Sequence, residues 1–179
     1  CQNKTGVPNI WASNMAKTRI EVNICLQSPG KRAGDALLRW SDDANPLGVY
    51  PVPIACIVGK PGPTAPLVAG VHGDEFEGPV ALCRLIDEIT PGQLEGRLIV
   101  LPAVNYPAVL ASQRTSPLDS RNMNRAFPGD PDGGPTDMLA DFIVSVLLPE
   151  ADLVVDLHAG GKASVFATSA LATRIDHQE

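Results

Sequence analysis

The sequence predicts an α/β fold: a three-layer domain with a mixed, largely parallel sheet and helices on both faces, plus an N-terminal β segment. Two patterns support this prediction. From residue 50 onward, short runs that are apolar nearly throughout alternate with stretches of helical periodicity, which is the order of elements in α/β domains. Before residue 50, apolar and polar residues alternate instead, as they do in strands with one face in water.

The first 50 residues are predicted to form the N-terminal β segment, and residues 51–179 the α/β core. Residues 18–26 alternate apolar and polar side chains, which indicates a half-buried strand. The glycines and the proline of residues 28–34 predict a turn. Residues 36–40 then predict a second short strand.

Four apolar runs predict the strands of the core, because such runs suit strands that are covered on both faces. They lie at residues 54–58, 67–71, 98–101 and 153–157. Between them, apolar side chains recur at helical spacing in residues 79–89 and 136–147, which predicts two helices. Pro79 suits a first helical turn, Thr136 is the predicted N-cap of the second helix, and Pro149 follows its end.

Composition and charge argue against several classes of function. The 179 residues carry 14 Lys and Arg against 20 Asp and Glu, a net charge of −6, which argues against a nucleic-acid-binding surface. No apolar run approaches the roughly 18 residues that a membrane-spanning helix needs, so no membrane partner is expected. The four cysteines are dispersed without a CxxC pair. This argues against a zinc ribbon or a dense disulfide framework and favours reduced thiols in a cytoplasmic protein.

Two of the three histidines stand at the ends of predicted strands. His72 and His158 each follow an apolar run directly, and open α/β sheets bind ligands at the carboxyl ends of their strands. Glu75 comes three residues after His72, so one loop presents an imidazole and a carboxylate together. Two imidazole nitrogens and one carboxylate oxygen, with a fourth position left to water, are the ligands of catalytic zinc. Metal-assisted hydrolysis is the chemistry that this set predicts.

The residues alone leave several alternatives open. Each histidine could be a hydrogen-bonded residue at a strand end, without a metal. Asp74 and Glu77 lie in the first loop as rival carboxylates, and Asp74 could also face solvent or lie behind the ligands. Asp156 points to the same face of its strand as His158, where it could orient that ring or be a buried acid satisfied by backbone donors. His177 lies in a polar stretch and is predicted to be exposed.

Residues 113–134 form a long polar segment with three arginines and two asparagines. A loop of this length in a compact domain is usually functional or disordered. Arginine presents a planar fork to carboxylates, and asparagine is both donor and acceptor. Arg114, Arg121 and Arg125 could therefore bind an anionic substrate or stabilise an oxyanion. The alternative is a solvated loop with incidental charges.

Three motifs in this order carry a resemblance to a known family. They are GVHGDEFEG at residues 70–78, RTSPLDSRNMNRAFPG at residues 114–129 and VVDLHAGG at residues 154–161. In them the chain resembles the succinylglutamate desuccinylase/aspartoacylase family, within the wider zinc carboxypeptidase-like metallohydrolases. The resemblance covers about residues 50–165. Within the family, the stretches HGDEFEG and NMNRAFPGDPDG are most similar to those of the deacetylases that act on N-acetyl-diaminobutyrate in ectoine breakdown.

The resemblance implies a role for individual residues. One zinc ion per chain would be held by three ligands: His72, Glu75 and His158. Asn124 and Arg125 match the pair that grips the substrate carboxylate in the family. Arg114 matches an arginine that helps to polarise the scissile carbonyl, and Asp119 matches a structural loop acid. Met123 stands where many members have Leu.

One expected residue has no counterpart. The family's general base is a Glu well downstream of the last zinc ligand, and Glu179 is too close to His158 in the sequence to match it. The chain begins with Cys1 and ends in a polar stretch. We therefore expect a core that is incomplete at its C-terminus, lacks the base and is inactive alone.

The expected function is zinc-dependent hydrolysis of the amide bond of a small N-acyl amino acid, as in a deacylase or deacetylase. The expected partner is a small anionic N-acyl amino acid, and self-association into a homo-oligomer is compatible with the sequence. Two alternatives stand beside this function: a zinc carboxypeptidase acting on peptides, and an inactive zinc-binding module. An open cleft would favour the carboxypeptidase. The absence of a downstream base would favour the inactive module.

Overall fold

The computed structural model describes residues 18–43 and 45–172. His177, predicted to be exposed, lies outside this part of the chain. The described residues form six strands: β1 (Glu21–Val22), β2 (Gly30–Arg39), β3 (Val49–Val58), β4 (Lys60–Ala69), β5 (Glu95–Leu101) and β6 (Val155–Leu157). They form three α-helices: α1 (Glu77–Glu88), α2 (Tyr106–Ala111) and α3 (Pro135–Phe142). Shorter helical turns lie at Pro91–Gln93, Met123–Arg125, Ile143–Leu147 and Leu148–Glu150.

The strands form a single mixed sheet in the order β1-β2-β3-β5-β4-β6, which confirms the predicted mixed sheet. The proportion of parallel strand pairs is lower than in the largely parallel sheet that was predicted. The pairs β1-β2, β2-β3 and β3-β5 are antiparallel, and only the two pairs that β4 makes, with β5 and β6, are parallel. The difference arises because the N-terminal strands extend the core sheet itself: β2 pairs with β3 along all ten residues.

The predicted turn at residues 28–34 is wrong for most of its length. The turn ends at Gly30, whose φ of 99° suits glycine, and β2 starts there. Gly30 already pairs with Val58, and Gly34 with Ile54. An antiparallel ladder is built from backbone groups, so it continues through residues whose side chains are typical of turns.

The predicted strand over residues 18–26 is reduced to β1. Only Glu21 and Val22 pair with β2. Asn23 makes the next contacts with β2: its amide donates to the Asp35 carbonyl at 3.0 Å, and its side-chain oxygen accepts from the Asp35 amide at 2.7 Å.

Helices cover both faces of the sheet, as predicted. Ile54 and Phe142 of α3 belong to one buried cluster, and Ile57 and Leu82 of α1 belong to another. Ile54 and Ile57 are three positions apart in β3, so their side chains leave opposite faces of the strand. The observed three-layer arrangement puts α1 and α3 on opposite sides of the sheet.

The two predicted helices form with shifted bounds. The first begins at Glu77, with Pro79 in its first turn. The second has Gly134 as its N-cap and becomes a π-helical turn after Phe142. Thr136 is therefore not the N-cap: its hydroxyl donates to the Asp119 carboxylate at 2.8 Å instead. Asp119 also accepts from the Thr136 amide at 2.9 Å, which agrees with a structural role for this acid.

The structure bears on two features of the composition, the lack of long apolar runs and the cysteines. No helix among the described residues is long and apolar enough to cross a membrane. Cys56 is a buried free thiol and Cys83 an exposed one, but Cys25 is disulfide-bonded. The expectation of reduced thiols is therefore wrong at Cys25, because the lack of a CxxC pair does not exclude a disulfide.

Candidate metal centre

The centre lies at the carboxyl ends of two neighbouring parallel strands, β4 and β6. Ala69, the last residue of β4, pairs with Leu157, the last residue of β6. The strands therefore end level with each other. His72 follows the end of β4 by three residues, and His158 follows β6 directly. This is the sheet edge at which α/β folds bind ligands.

Asn105 forms hydrogen bonds with the backbone that follows β4. Gly70 has a φ of 73°, which turns the chain away from the strand. The Asn105 amide donates to the Gly70 carbonyl at 3.2 Å, and its side-chain Nδ2 donates to the Val71 carbonyl at 3.3 Å. Asn105 is fully buried, so the backbone just before His72 is fixed by the core.

Glu75 joins the two histidines. Its Oε1 lies 2.8 Å from Nδ1 of His72, and its Oε2 lies 2.9 Å from Nδ1 of His158. The ring centroids of the histidines are 5.2 Å apart. His72 and Glu75 are buried, whereas the side chain of His158 is 29% exposed. One side of the cluster is thus accessible to a small molecule.

The three side chains fit a zinc ion. Each offers one ligand atom, and these atoms all lie within 4.8 Å of one another. Two imidazoles and a carboxylate are the protein ligands of many catalytic zinc sites. Of the three acids in the first loop, Glu75 is the one that contacts both rings, while Glu77 is exposed in the first turn of α1.

Hydrogen bonds keep Glu75 ionised although it is buried. Burial raises its pKa, but the Ala159 amide at 2.9 Å and the two histidines together lower it below the usual range. A divalent cation binds a carboxylate in its ionised form, so Glu75 carries the charge that a metal ligand needs.

Each histidine also has a second partner on its other ring nitrogen. Asp156 Oδ2 lies 2.9 Å from Nε2 of His158, and this hydrogen bond is the main reason why the pKa of His158 is raised. Asn122 Oδ1 lies 3.1 Å from Nε2 of His72. Partners of this kind hold a ligand ring in one orientation. Sequence reasoning singled out Asp156 by its spacing from His158 but missed Asn122, since no spacing rule relates it to His72.

Of the candidate substrate residues, Arg114 reaches the centre directly. Its Nη1 lies 3.3 Å from Glu75 Oε1, and its side chain is 56% exposed. Asn124 is linked to the centre by its amide, which donates to Asn122 Oδ1 at 3.0 Å. Arg125 lies beside Asn124 and donates to its carbonyl at 3.1 Å. Arg121 contacts Asp137 at the start of α3 instead, so this third arginine ties the loop to the helix.

Comparisons with known proteins identify the family of the chain. A family model described as the succinylglutamate desuccinylase/aspartoacylase catalytic domain matches residues 61–179. An N-alpha-acetyl-L-2,4-diaminobutyric acid deacetylase of Halomonas elongata is 41% identical over 143 residues, which are 80% of this chain and 42% of that protein.

Solved structures give the same result. A succinylglutamate desuccinylase of Silicibacter is 46% identical with a TM-score of 0.80, and the match covers 83% of this chain and 45% of that one. The ectoine utilization protein EutE of Ruegeria pomeroyi, solved with bound product, is 46% identical with a TM-score of 0.78, over 80% and 44%. The chain spans less than half the length of these relatives.

Proposed function

Because the chain belongs to the succinylglutamate desuccinylase/aspartoacylase family, we propose that it binds one zinc ion and serves in hydrolysis of the amide bond of a small N-acyl amino acid. The observation that carries this proposal is the approach of two strand-end histidines to one buried, ionised glutamate. The family supports a deacylating hydrolase, and the donor set supports the metal.

The chain's own residues would prepare the centre. His72, Glu75 and His158 would hold the zinc, which when bound supplies a Lewis acid that lowers the pKa of water and polarises a carbonyl. Asp156 and Asn122 would keep the two rings oriented through their Nε2 atoms.

The arginines would bind and polarise the substrate. Asn124 and Arg125 lie on one short helical turn, and we assign the carboxylate of the N-acyl amino acid to them, because guanidinium and amide groups donate well to carboxylates. Arg114 lies ten residues before Asn124 in the same loop, and its Nη1 donates to Glu75 Oε1 at 3.3 Å. Its guanidinium would donate to the acyl oxygen as that oxygen gains negative charge.

The residue that takes the proton from water is proposed to lie outside the described residues. The acids at the centre are already engaged: Glu75 bonds both histidines, and Asp156 bonds His158. We therefore expect the 179-residue chain to bind zinc and to show little or no turnover by itself. A longer protein that carries this chain together with a further carboxylate would turn over faster.

We take the substrate class from the name of a relative. The name of the Halomonas relative specifies an N-acetylated 2,4-diaminobutyric acid, so we propose an acetylated diamino acid as the first compound to assay. We place the reaction in the cytoplasm, as is common for enzymes that act on small metabolites.

The decisive experiment combines metal analysis with an assay of acetate release. Purified chain is dialysed, its zinc content is measured by mass spectrometry, and N-acetyl-2,4-diaminobutyrate is supplied to the chain and to a longer protein containing it. We expect close to one equivalent of zinc, and zinc-dependent acetate release by the longer protein. A chain without bound zinc, or release that is unaffected by chelation, would contradict the proposal.

A further inference from the structure

Asp74 lies between the two loops that carry the proposed metal ligands. It follows His72 by two positions in the first loop, but its carboxylate points to the second loop, after β6. Oδ2 accepts a hydrogen bond from the Lys162 amide at 3.4 Å. Oδ1 is buried and has no hydrogen-bond partner among the described residues. Asp74 therefore does not extend into solvent, which was one of its open alternatives.

The second loop is shaped to receive this carboxylate. Gly161 has a φ of 61°, and a Cβ atom at this position would lie 2.7 Å from Asp74 Oδ2 and 3.0 Å from its Cγ. Such distances are shorter than a normal contact, so a side chain at residue 161 would push the carboxylate away. The close approach of loop and carboxylate thus depends on glycine.

Other contacts hold the same loop at separate points. The Ala159 amide donates to Glu75 Oε2 at 2.9 Å. The Lys162 ammonium donates to the Ser112 carbonyl at 2.7 Å. Ser112 lies two residues before Arg114, and the next carbonyl, that of Gln113, accepts from the Gly73 amide at 2.8 Å. The three segments with site residues are therefore joined to one another by hydrogen bonds, each of which has a backbone group as donor or acceptor.

We propose that Asp74 is a positioning residue, which holds the loop of residues 159–162 so that His158 stays at the distance from His72 and Glu75 that a metal requires. The inference rests on the proposed function, because it assigns the purpose of the contact to the zinc centre. Asp74 acts by accepting a hydrogen bond from the loop backbone, and its negative charge is not needed for this.

Two substitutions of Asp74 separate the effect of its hydrogen bond from the effect of its charge. Asp74→Asn keeps a side-chain oxygen that accepts from the Lys162 amide, whereas Asp74→Ala removes it. Glu77→Ala is the matched control, since Glu77 is an exposed acid three positions further along. For each 179-residue chain, zinc affinity is measured by competition with a chromophoric chelator. The absorption spectrum of the Co²⁺-substituted chain reports the ligand geometry.

We expect Asp74→Ala to weaken zinc binding about tenfold, the effect typical of losing a group that orients a metal ligand, and to alter the Co²⁺ spectrum. Asp74→Asn and Glu77→Ala should retain the wild-type affinity and spectrum. Equal weakening by Asn and Ala would overturn the inference, because it would show that the charge is required. Wild-type affinity in Asp74→Ala would overturn it as well, with the proposed function intact.

A measurement without metal separates the inference from the proposed function. In the zinc-free chain, amide hydrogen exchange of residues 159–162 should be faster in Asp74→Ala than in wild type and unchanged in Asp74→Asn. Unchanged exchange in Asp74→Ala would contradict the inference even for a chain that binds no zinc. If Asp74→Ala does not fold, Gly161→Ala disrupts the same contact from the loop side. It should show the same faster exchange and weaker zinc binding, and wild-type values would count against the inference.

Discussion

Glu75 and His158 are 83 positions apart in the sequence, yet Glu75 Oε2 lies 2.9 Å from His158 Nδ1. The parallel pairing of β4 with β6 produces this contact, because it brings the carboxyl ends of two distant strands to one edge. The same glutamate contacts His72 through its other oxygen. A single carboxylate thus connects both loops of the proposed centre.

The two histidines should be required for zinc. His72→Ala and His158→Ala each remove one of three ligands, so the variants are expected to lose the metal on dialysis. Zinc per chain is measured by mass spectrometry. His177→Ala is the matched control, because it removes the histidine that was not assigned to the centre, and it should keep close to one equivalent. Metal retained by both centre variants would exclude this ligand set.

Asn122 should matter for zinc affinity through its contact with His72. Asn122→Leu removes the oxygen that lies 3.1 Å from Nε2 of His72 and should weaken zinc binding about tenfold, since ligand rings lose their orientation without an outer partner. Asn122→Asp keeps an acceptor at this position and should bind zinc almost normally. If both substitutions leave the dissociation constant unchanged, Asn122 does not orient His72.

Arg125 should bind the carboxylate of the substrate. For a longer protein with measurable turnover, Arg125→Ala should raise KM for an N-acyl amino acid roughly tenfold to a hundredfold, as expected when hydrogen bonds to a charged group are lost. KM for an uncharged N-acyl amine should hardly change.

The control for this experiment is Arg84→Ala, which removes an exposed arginine of α1 and should leave both KM values unchanged. Equal effects of Arg125→Ala on the charged and the uncharged amide would mean that Arg125 does not recognise the carboxylate.

Cys56 should make the fold sensitive to alkaline pH. Burial raises the pKa of its thiol above the ordinary value, so the unfolded chain loses this proton at a lower pH than the folded chain does. As pH rises above about 8.5, where a free thiol ionises, the unfolded state binds fewer protons and the free energy of unfolding must fall. The contribution of Cys56 is fully present below that pH.

Urea unfolding at pH 7.5 and at pH 9.5 measures this effect. The free energy of unfolding should fall less between the two values in Cys56→Ala than in wild type. Cys83→Ala controls for removing a thiol at an exposed position. An identical fall in wild type and Cys56→Ala would show that the buried thiol does not contribute.

The candidate centre could be predicted from sequence because its residues follow strands. His72 and His158 were singled out by the apolar runs before them, and Glu75 by its distance from His72. The choice among Glu75, Asp74 and Glu77 could not be made in this way. It depends on how the loop turns after Gly70, and that turn is set by contacts with Asn105.

The sheet could likewise be predicted only in part from the sequence. Apolar runs predicted the strands at the centre of the domain, since burial on both faces leaves a clear signal in the sequence. They did not predict that β5 lies between β3 and β4, or that β2 extends through a segment rich in turn residues. Strand order depends on backbone pairing between distant segments, and the apolar pattern of one strand does not show which strand it pairs with.

By itself, the sequence determined the α/β class, the two strand-end histidines, the nearby carboxylate and the family resemblance. Each of these rests on short runs and motifs and on their order along the chain. Only the tertiary structure decided that Glu75 joins both rings, that Asn122 supports His72, and that Asp74 contacts the opposite loop. The contacts of Glu75 with His158, of Asn122 with His72 and of Asp74 with Lys162 join residues 50 to 88 positions apart, and such distances are closed by the packing of the sheet.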